Sequence, residues 1–486
     1  MTPAEALMWA LDDDPALRSS FMGVTILDQA PDPERFRRKM VEASESINAL
    51  RERVVPSPFD LAPPRWELDP SFDLDYHVRR VALPEPGTRR QLLDLAALLY
   101  ADPFDRARPL WQFTVVEGLE GGQAALLAKM HHVLSDGVGA IRLSVSFLDL
   151  GPDGNTPPAP SANKKRATPQ KRPVPASVGE ASAAPAAAPE EASVGEAVGA
   201  AVGAKNWFDS AAGALGPLLA APGRGATALA GTLNTVARAP IGGVTSGISS
   251  ARALARQLGL TDPARSPLWA ADRSYAHRFD TLSLELGPTR AAAHKLGGTV
   301  NDAFVTIMAT AAGDYHRAAG VEVDQLRMTM PISVRHDKEV AGNAWVPARL
   351  LVPAGPMPMA ERFSLVSAAL THTKSQPSLN LGGGFAAVVR RLPTPVVVRF
   401  ARQQTATVDF ACSNVRGAPF DLWIAGARVL ANHPFGPTAG VAFNATVLSY
   451  RDALDLGLNT DTGAVGDPGL LRHCIEEAAA ELAGLA

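Results

Sequence analysis

The sequence predicts a two-domain protein of mixed α and β elements, and three observations carry the prediction. A chain of 486 residues exceeds one ordinary domain and suits two of roughly 150–220 residues with a connector. Apolar residues recur at both strand and helix spacing on either side of the middle. Between those regions, residues 151–203 consist mainly of Pro, Ala, Ser, Gly and Glu. Such a segment lacks the side chains to offset its own ordering entropy and reads as a disordered linker.

Taken in order, Thr2, Pro3 and Glu5 open a first helix as a capping box with proline in the first turn. Residues 21–27 read as a strand. A helix with Phe36, Met40 and Ile47 on one face follows, and extended segments then carry the chain past Trp66 to His77 and Leu83. A second amphipathic helix, 89–100, presents Leu92, Leu93, Ala96 and Leu99. Residues 111–116 form a strand that the glycine-rich turn 118–122 folds back against the next one as a hairpin.

That next strand, within QAALLAKMHHVLSDGVGA at 123–140, ends in two adjacent histidines. Strand side chains alternate between faces, so His132 shares the face of Leu126, Ala128 and Met130, and His131 takes the other. Asp136 and Gly137 then form a tight turn, after which Val138, Ile141, Val145 and Leu148 recur at helical spacing. An imidazole with an ordinary pKa of about 6.5 suits proton removal from an alcohol near neutral pH. Metal binding is disfavoured, because neighbouring strand positions diverge and no further His or Cys lies nearby at zinc spacing.

The linker carries a small basic cluster from Lys164 to Arg172. Residues 204–263 read as an Ala/Gly-rich helical crossover, with an amphipathic stretch lying on a membrane or lipid droplet as the second reading of 207–258. The second domain, 264–486, opens with a strand at 279–286. Thr299 and Asp302 cap a helix that carries Val300, Phe304, Met308, Ala311 and Tyr315, and Asn301 sits in the same first turn. A strand at 327–334 alternates Met328, Met330, Ile332 and Val334. The late strand lies within 440–450, and the last helix, 468–485, turns Leu470, Ile475, Ala479 and Leu482 inward.

A net charge of −3 offers no global attraction to nucleic acid. Two cysteines without a CxxC pair give neither a disulfide framework nor a thiolate metal site. No signal peptide is visible, and no window reaches the ~18 apolar residues of a spanning helix. The expected setting is the cytoplasm, with peripheral contact to the inner membrane or lipid droplets as an option.

His131, His132, Asp136 and Gly137 form HHxxxDG, which resembles the active-site motif of the bacterial wax ester synthase/diacylglycerol acyltransferase family. Further stretches resemble the same family: FDLDYHVRRVALP at 72–84, PLW at 109–111, the Asn301–Asp302 pair, PISVR at 331–335, FACSNVRG at 410–417 and GVAFNATVLSY at 440–450. Arg416 stands where the family pattern has proline.

The resemblance implies two chloramphenicol acetyltransferase-like α/β subdomains, 1–150 and 264–486, with mixed sheets and a channel at their interface. It implies transfer from acyl-CoA, as substrate, to diacylglycerol or a long-chain alcohol, with no metal or redox cofactor. His132 would be the general base and Asn301 the oxyanion donor. Gly137 would leave room for pantetheine, Asp136 would hold the loop through an arginine such as Arg335, and His131 would play a supporting part. Polyketide-type and peptide-condensing enzymes share HHxxxDG but act on other acceptors; an inactive lipid-droplet scaffold is the reading of another class. We expect His132→Ala to abolish acyl transfer with thermal stability retained, and Asp136→Ala to lose both. Normal turnover of acyl-CoA and diacylglycerol by the His132 variant would overturn the assignment.

Overall fold

The alternating patterns resolve into two six-stranded mixed sheets, each packed with helices. A computed structural model describes residues 1–57, 63–134, 144, 146–154, 266–269, 273–333, 345–374 and 394–486. Asp136, Gly137, Arg335, most of the 151–203 linker and the 204–263 segment lie outside them.

In chain order, α1 (Pro3–Leu11) begins on the expected capping box, in which Thr2 and Glu5 satisfy each other's amides. β1 (Ser20–Leu27), α2 (Pro33–Ser46), the hairpin of β2 (Glu52–Val55) and β3 (Arg65–Leu68), one-turn α3 (Leu74–His77) and β4 (Val78–Ala82) follow. Next, α4 (Arg89–Ala101) is capped by Thr88 with Gln91 and buries Leu92, Leu93, Ala96, Ala97 and Tyr100. The predicted hairpin is β5 (Trp111–Glu117) with β6 (Ala124–His131), in register from Trp111 opposite Met130 to Val116 opposite Ala125.

The second half comprises β7 (His277–Glu285), α5 (Leu286–Lys295), α6 (Val300–Ala318), β8 (Gln325–Ser333), β9 (Trp345–Pro353), α7 (Met359–Lys374) and α8 (Thr394–Thr405). It continues with β10 (Phe410–Arg416), β11 (Trp423–Ile424), β12 (Ala427–Phe435), β13 (Phe443–Tyr450), β14 (Ala453–Asp461) and α9 (Pro468–Ala483). The sequence patterns miss α5, whose first turn holds Gly287 and Pro288; proline is tolerated there because the first amides need no partner. In α9, Leu471 rather than Leu470 is fully buried.

α6 is the centre of the larger core. The sequence gives it one apolar face, but Ala303 to Ala312 are buried all round, between Leu326 and Met328 of β8, Phe443 and Ala445 of β13, Leu456 of β14 and Ile475 of α9. A helix buried on every side needs small residues where backbones approach. At Gly313, an added Cβ would stand 2.0 Å from the Ala354 carbonyl.

The sheets do not follow the division at 150 and 264. The first runs β11–β12–β1–β6–β5–β4 and the second β7–β14–β13–β10–β8–β9. Residues 423–435, assigned by sequence to the second domain, therefore complete the first sheet. The physical reason is edge pairing: β12 lies antiparallel to β1, from Met22 opposite Phe435 to Leu27 opposite Val429, and satisfies an edge that β6 leaves open.

From there β12 also crosses the second sheet. The Asn432 amide donates to Asp455 at 2.7 Å, His433 Nδ1 meets the Leu456 carbonyl at 3.1 Å, and Asn459 donates to the Gly436 carbonyl at 2.9 Å. Phe279 of β7 stacks on Phe435 with ring centroids 4.0 Å apart, inside the core made by α4 with β1. Both cysteines, Cys412 on β10 and Cys474 on α9, are buried free thiols. Burial pushes both thiol pKa values up, that of Cys474 to about 11.

The crossing is close at Gly457, where a Cβ would lie 2.0 Å from the Pro434 carbonyl. Gly457→Ala should destabilise the fold by about 1–3 kcal/mol. The check is the denaturant midpoint against Gly287→Ala, a position with open space around it.

Candidate active site

Both faces of β6 are covered. Leu126 and Met130 pack with Phe36, Met40, Trp111, Phe113 and Phe147 on one side, and Ala125 and Leu127 pack with α4 on the other. Backbone pairing continues to the motif: the His131 amide donates to the Leu110 carbonyl at 3.1 Å and the His132 amide to the Ser19 carbonyl at 2.9 Å. The chain then turns, with the Leu134 amide donating to the His131 carbonyl at 3.0 Å.

The histidines part as alternation requires. His132 is half-buried with its ring 4.7 Å from that of Phe21, which packs on the cluster holding Met130. His131, 1% exposed, lies on the opposite face. Its Nδ1 accepts from the Val133 amide at 3.1 Å, so its proton sits on Nε2, which donates to Asp12 Oδ1 at 2.9 Å. Asp12 Oδ1 also accepts the Ser19 amide at 3.2 Å. One carboxylate thus holds His131 directly and, through Ser19, the backbone of His132. Burial works to raise the Asp12 pKa, but the His131 hydrogen bond, the Ser19 amide and the Arg106 charge outweigh it and keep the value below the ordinary carboxylate range.

Lys129 secures the strand two residues before His131. It is 2% exposed, donates from Nζ to the Leu99 and Asp102 carbonyls at 2.8 and 2.5 Å, and lies over the Phe104 ring. Burial lowers its pKa to about 8, and its charge closes the carbonyl end of α4. The 72–84 and 109–111 stretches meet physically as well: His77, fully buried, stacks on Trp111 at 4.5 Å, and its Nδ1 donates to the Trp111 carbonyl at 2.7 Å. Burial lowers the His77 pKa, so this ring is a structural brace.

Across the fold, Thr299 and Asp302 form the expected capping box of α6, which accounts for Asp302. Asn301, half-buried in the same turn, accepts a hydrogen bond from Asn414 of β10 at 3.3 Å. Sequence reasoning marked the 410–417 stretch without singling out Asn414. β10 stays a strand through Arg416, paired with Ser449, so that arginine does not break the segment. A second Ser–His pair, Ser266 Oγ with His316 Nε2 at 2.5 Å, is wholly buried; Ser266 Oγ also accepts the Trp269 amide, which makes the pair a packing device.

The structure therefore joins His131 to Asp12 and Asn301 to Asn414, and sets His132 against Phe21. The anchored imidazole of His132 can accept a proton, and Asn301, whose carbonyl oxygen is engaged, keeps two N–H donors. Among the described residues there is no cluster of three or more His, Cys, Asp or Glu arranged to hold a metal ion, and no helix long and apolar enough to cross a membrane.

Comparison with known proteins adds an independent line. Residues 1–304 match the wax ester synthase/diacylglycerol acyltransferase catalytic domain, and 342–483 match the C-terminal domain of the same family. A Mycobacterium tuberculosis protein with the provisional name diacylglycerol O-acyltransferase is 31% identical over 100% of this chain and 91% of its own length. Another from that organism, likewise provisionally named, is 28% identical over 94% of this chain and 89% of its own. Among solved structures, the wax ester synthase/diacylglycerol acyltransferase of Marinobacter aquaeolei VT8 is similar in fold, with a TM-score of 0.61 at 21% identity over 100% of this chain and 99% of that one. The first condensation domain of the calcium-dependent antibiotic synthetase gives 0.57 at 13% identity over 99% and 96%.

Asp12 generates a pH-dependent expectation. A carboxyl whose folded pKa lies below its unfolded value stabilises the fold above the unfolded pKa of about 3.9 and loses that contribution as pH falls through the folded value. Asp12→Asn should therefore cost about 2 kcal/mol at pH 7, and the gap to the parent protein should narrow below about pH 4. Urea denaturation across pH 2–7 measures it; a gap constant down to pH 2 contradicts the assignment.

Proposed function

This chain belongs to the wax ester synthase/diacylglycerol acyltransferase family, and from that premise we propose that it moves an acyl group from acyl-CoA to the hydroxyl of a diacylglycerol or a long-chain alcohol, with His132 as general base. The observation that carries this reading is the placement of His132: the second histidine of HHxxxDG directly follows a strand covered on both faces, with its backbone tied to Ser19 and its ring against Phe21. An imidazole fixed in that way needs little reorganisation to take a proton.

His132 removes the acceptor's hydroxyl proton as the oxygen attacks the thioester carbonyl, and a tetrahedral oxyanion forms. Asn301 donates to that oxygen, its own carbonyl being occupied by Asn414. Collapse breaks the carbon–sulfur bond, and His132 returns the proton to the CoA thiolate. Atoms and charge balance with no cofactor. His131 and Asp12 position the base without touching substrate. We place the protein in the cytoplasm, with its lipid acceptor met at a membrane or droplet surface.

Purified protein incubated with palmitoyl-CoA and either dioleoylglycerol or hexadecanol should release thiol only when acceptor is present, and product analysis identifies the ester. Asn301→Ala should lower kcat by about 10²-fold with a smaller change in KM. Thiol release that ignores both acceptors and responds to an amine or a carrier-bound nucleophile would point to a condensation-type reaction. A folded protein that turns over none of them would leave the scaffold reading.

A further inference from the structure

A cleft of about 650 Å³ opens between the start of α4, residues 281–285 of β7, His433 of β12 and α9. It is separate from the HHxxxDG site. His433 pairs with Val24 of β1, four residues along from Ser20, which pairs with His131. At about 3.3 Å per residue that is roughly 13 Å, and Val24 faces the α4 core rather than Phe21 and His132.

Three features at one end of the cleft share an unmet demand. His433 is 5% exposed, and its Nδ1 donates to the Leu456 carbonyl, so the lone pair is on Nε2, which has no hydrogen-bond partner among the described residues although the ring lines the cleft. Burial, opposed by Asp455 and the Leu456 carbonyl and joined by Arg89, lowers its pKa below the ordinary imidazole value. Arg89, the first residue of α4, lines the same end and has no carboxylate of the described residues within ion-pair distance. The first two amides of α4, those of Arg89 and Arg90, are also open, since Thr88 takes the amides of Gln91 and Leu92. The Arg90–Asp280 bridge at 2.9 Å pins this helix start beside Thr281.

The acidic groups around the cleft are engaged or distant. Glu476 is paired with Arg472 at 2.7 Å, Glu285 lies at the other end of the five-residue wall, and Asp455, the carboxylate that acts on His433, accepts from Ser283 Oγ and the Asn432 amide, each at 2.7 Å. A guanidinium and open helix amides call for negative charge, and the Nε2 lone pair calls for a proton on the same ligand. Carboxylates and sulfate carry no proton at neutral pH. A phosphate monoester has a second pKa of about 6, so on the slightly acid side of neutrality a substantial share is the monoanion, which carries both. The wall from Ala479 onwards leaves an apolar path for the rest of such a molecule.

We propose that this cleft binds a phosphate monoester, held by Arg89, the open amides at the start of α4 and Nε2 of His433. The site stands independently of the acyl-transfer reading.

Thermal melts of the full chain at about pH 6.5, where the monoanion of each phosphate is populated, and at constant ionic strength, with methyl phosphate, inorganic phosphate or sulfate, test it. Both phosphates should stabilise saturably, with sulfate at least about tenfold weaker. Arg89→Ala should weaken the phosphate response by about tenfold or more, Arg472→Ala should leave it unchanged, and His433→Gln should erase the preference over sulfate. Flotation with phosphatidylcholine vesicles, with and without phosphatidate, identifies the source: capture that needs both phosphatidate and Arg89 means a lipid-borne phosphate, and its absence means a soluble ester. An equal response to sulfate and phosphate, no response to either phosphate, or a phosphate response indifferent to Arg89→Ala overturns the proposal; should His433→Gln not fold, Arg89→Ala decides alone.

Discussion

Two consecutive histidines at the end of a β-strand cannot share a face, and the candidate site depends on that constraint. Alternation sends His131 into the interior beside Asp12 and His132 toward Phe21. The same geometry divides the labour, because the residue that is hydrogen-bonded and shielded secures the strand end while its neighbour keeps a half-exposed ring. Asp12 then acts on both, one through its imidazole and the other through the Ser19 backbone. A single carboxylate from the end of the first helix thereby sets the position of a motif 119 residues away.

The second organising feature is the path of β12. It completes the first sheet, crosses the second, and brings Phe435 against Phe279. Tyr450, at the end of β13, makes the reciprocal contact, donating to the Val429 carbonyl from within the core that also holds Trp111. The two α/β halves therefore share side chains in both of the cores that cover β6. Damage at this crossing would be felt at the motif without touching it, which is the expected behaviour of a close-packed interior.

Much of this was legible in the sequence where the cause is local. The capping boxes at Thr2 and Thr299, the amphipathic pattern of α4 and the β5–β6 hairpin all depend on residues within a few positions of each other. The face of each histidine followed from strand periodicity alone. What stayed hidden involves distant partners: the Asp12–His131 bond, the Asn414–Asn301 bond, and the capture of β12 by the first sheet. Asp12 is one of three successive aspartates, Asp12 to Asp14, and nothing in that run distinguishes a buried carboxylate from a solvated one. The all-round burial of α6 was equally hard to see, because alanine and threonine fit a core or a surface alike.

The two cysteines have a practical and chemical consequence. Both are enclosed, with thiol pKa values raised by burial, so the protein presents no ready thiolate to solvent. The proposed reaction liberates a free sulfhydryl with each catalytic cycle. A macromolecule with no competing sulfur nucleophile within reach neither exchanges with an oxidised form of that product nor reacts with a chromogenic disulfide added to count it. Release of the CoA thiol can then be read continuously from the intact protein, with a near-zero background that owes nothing to chemical blocking.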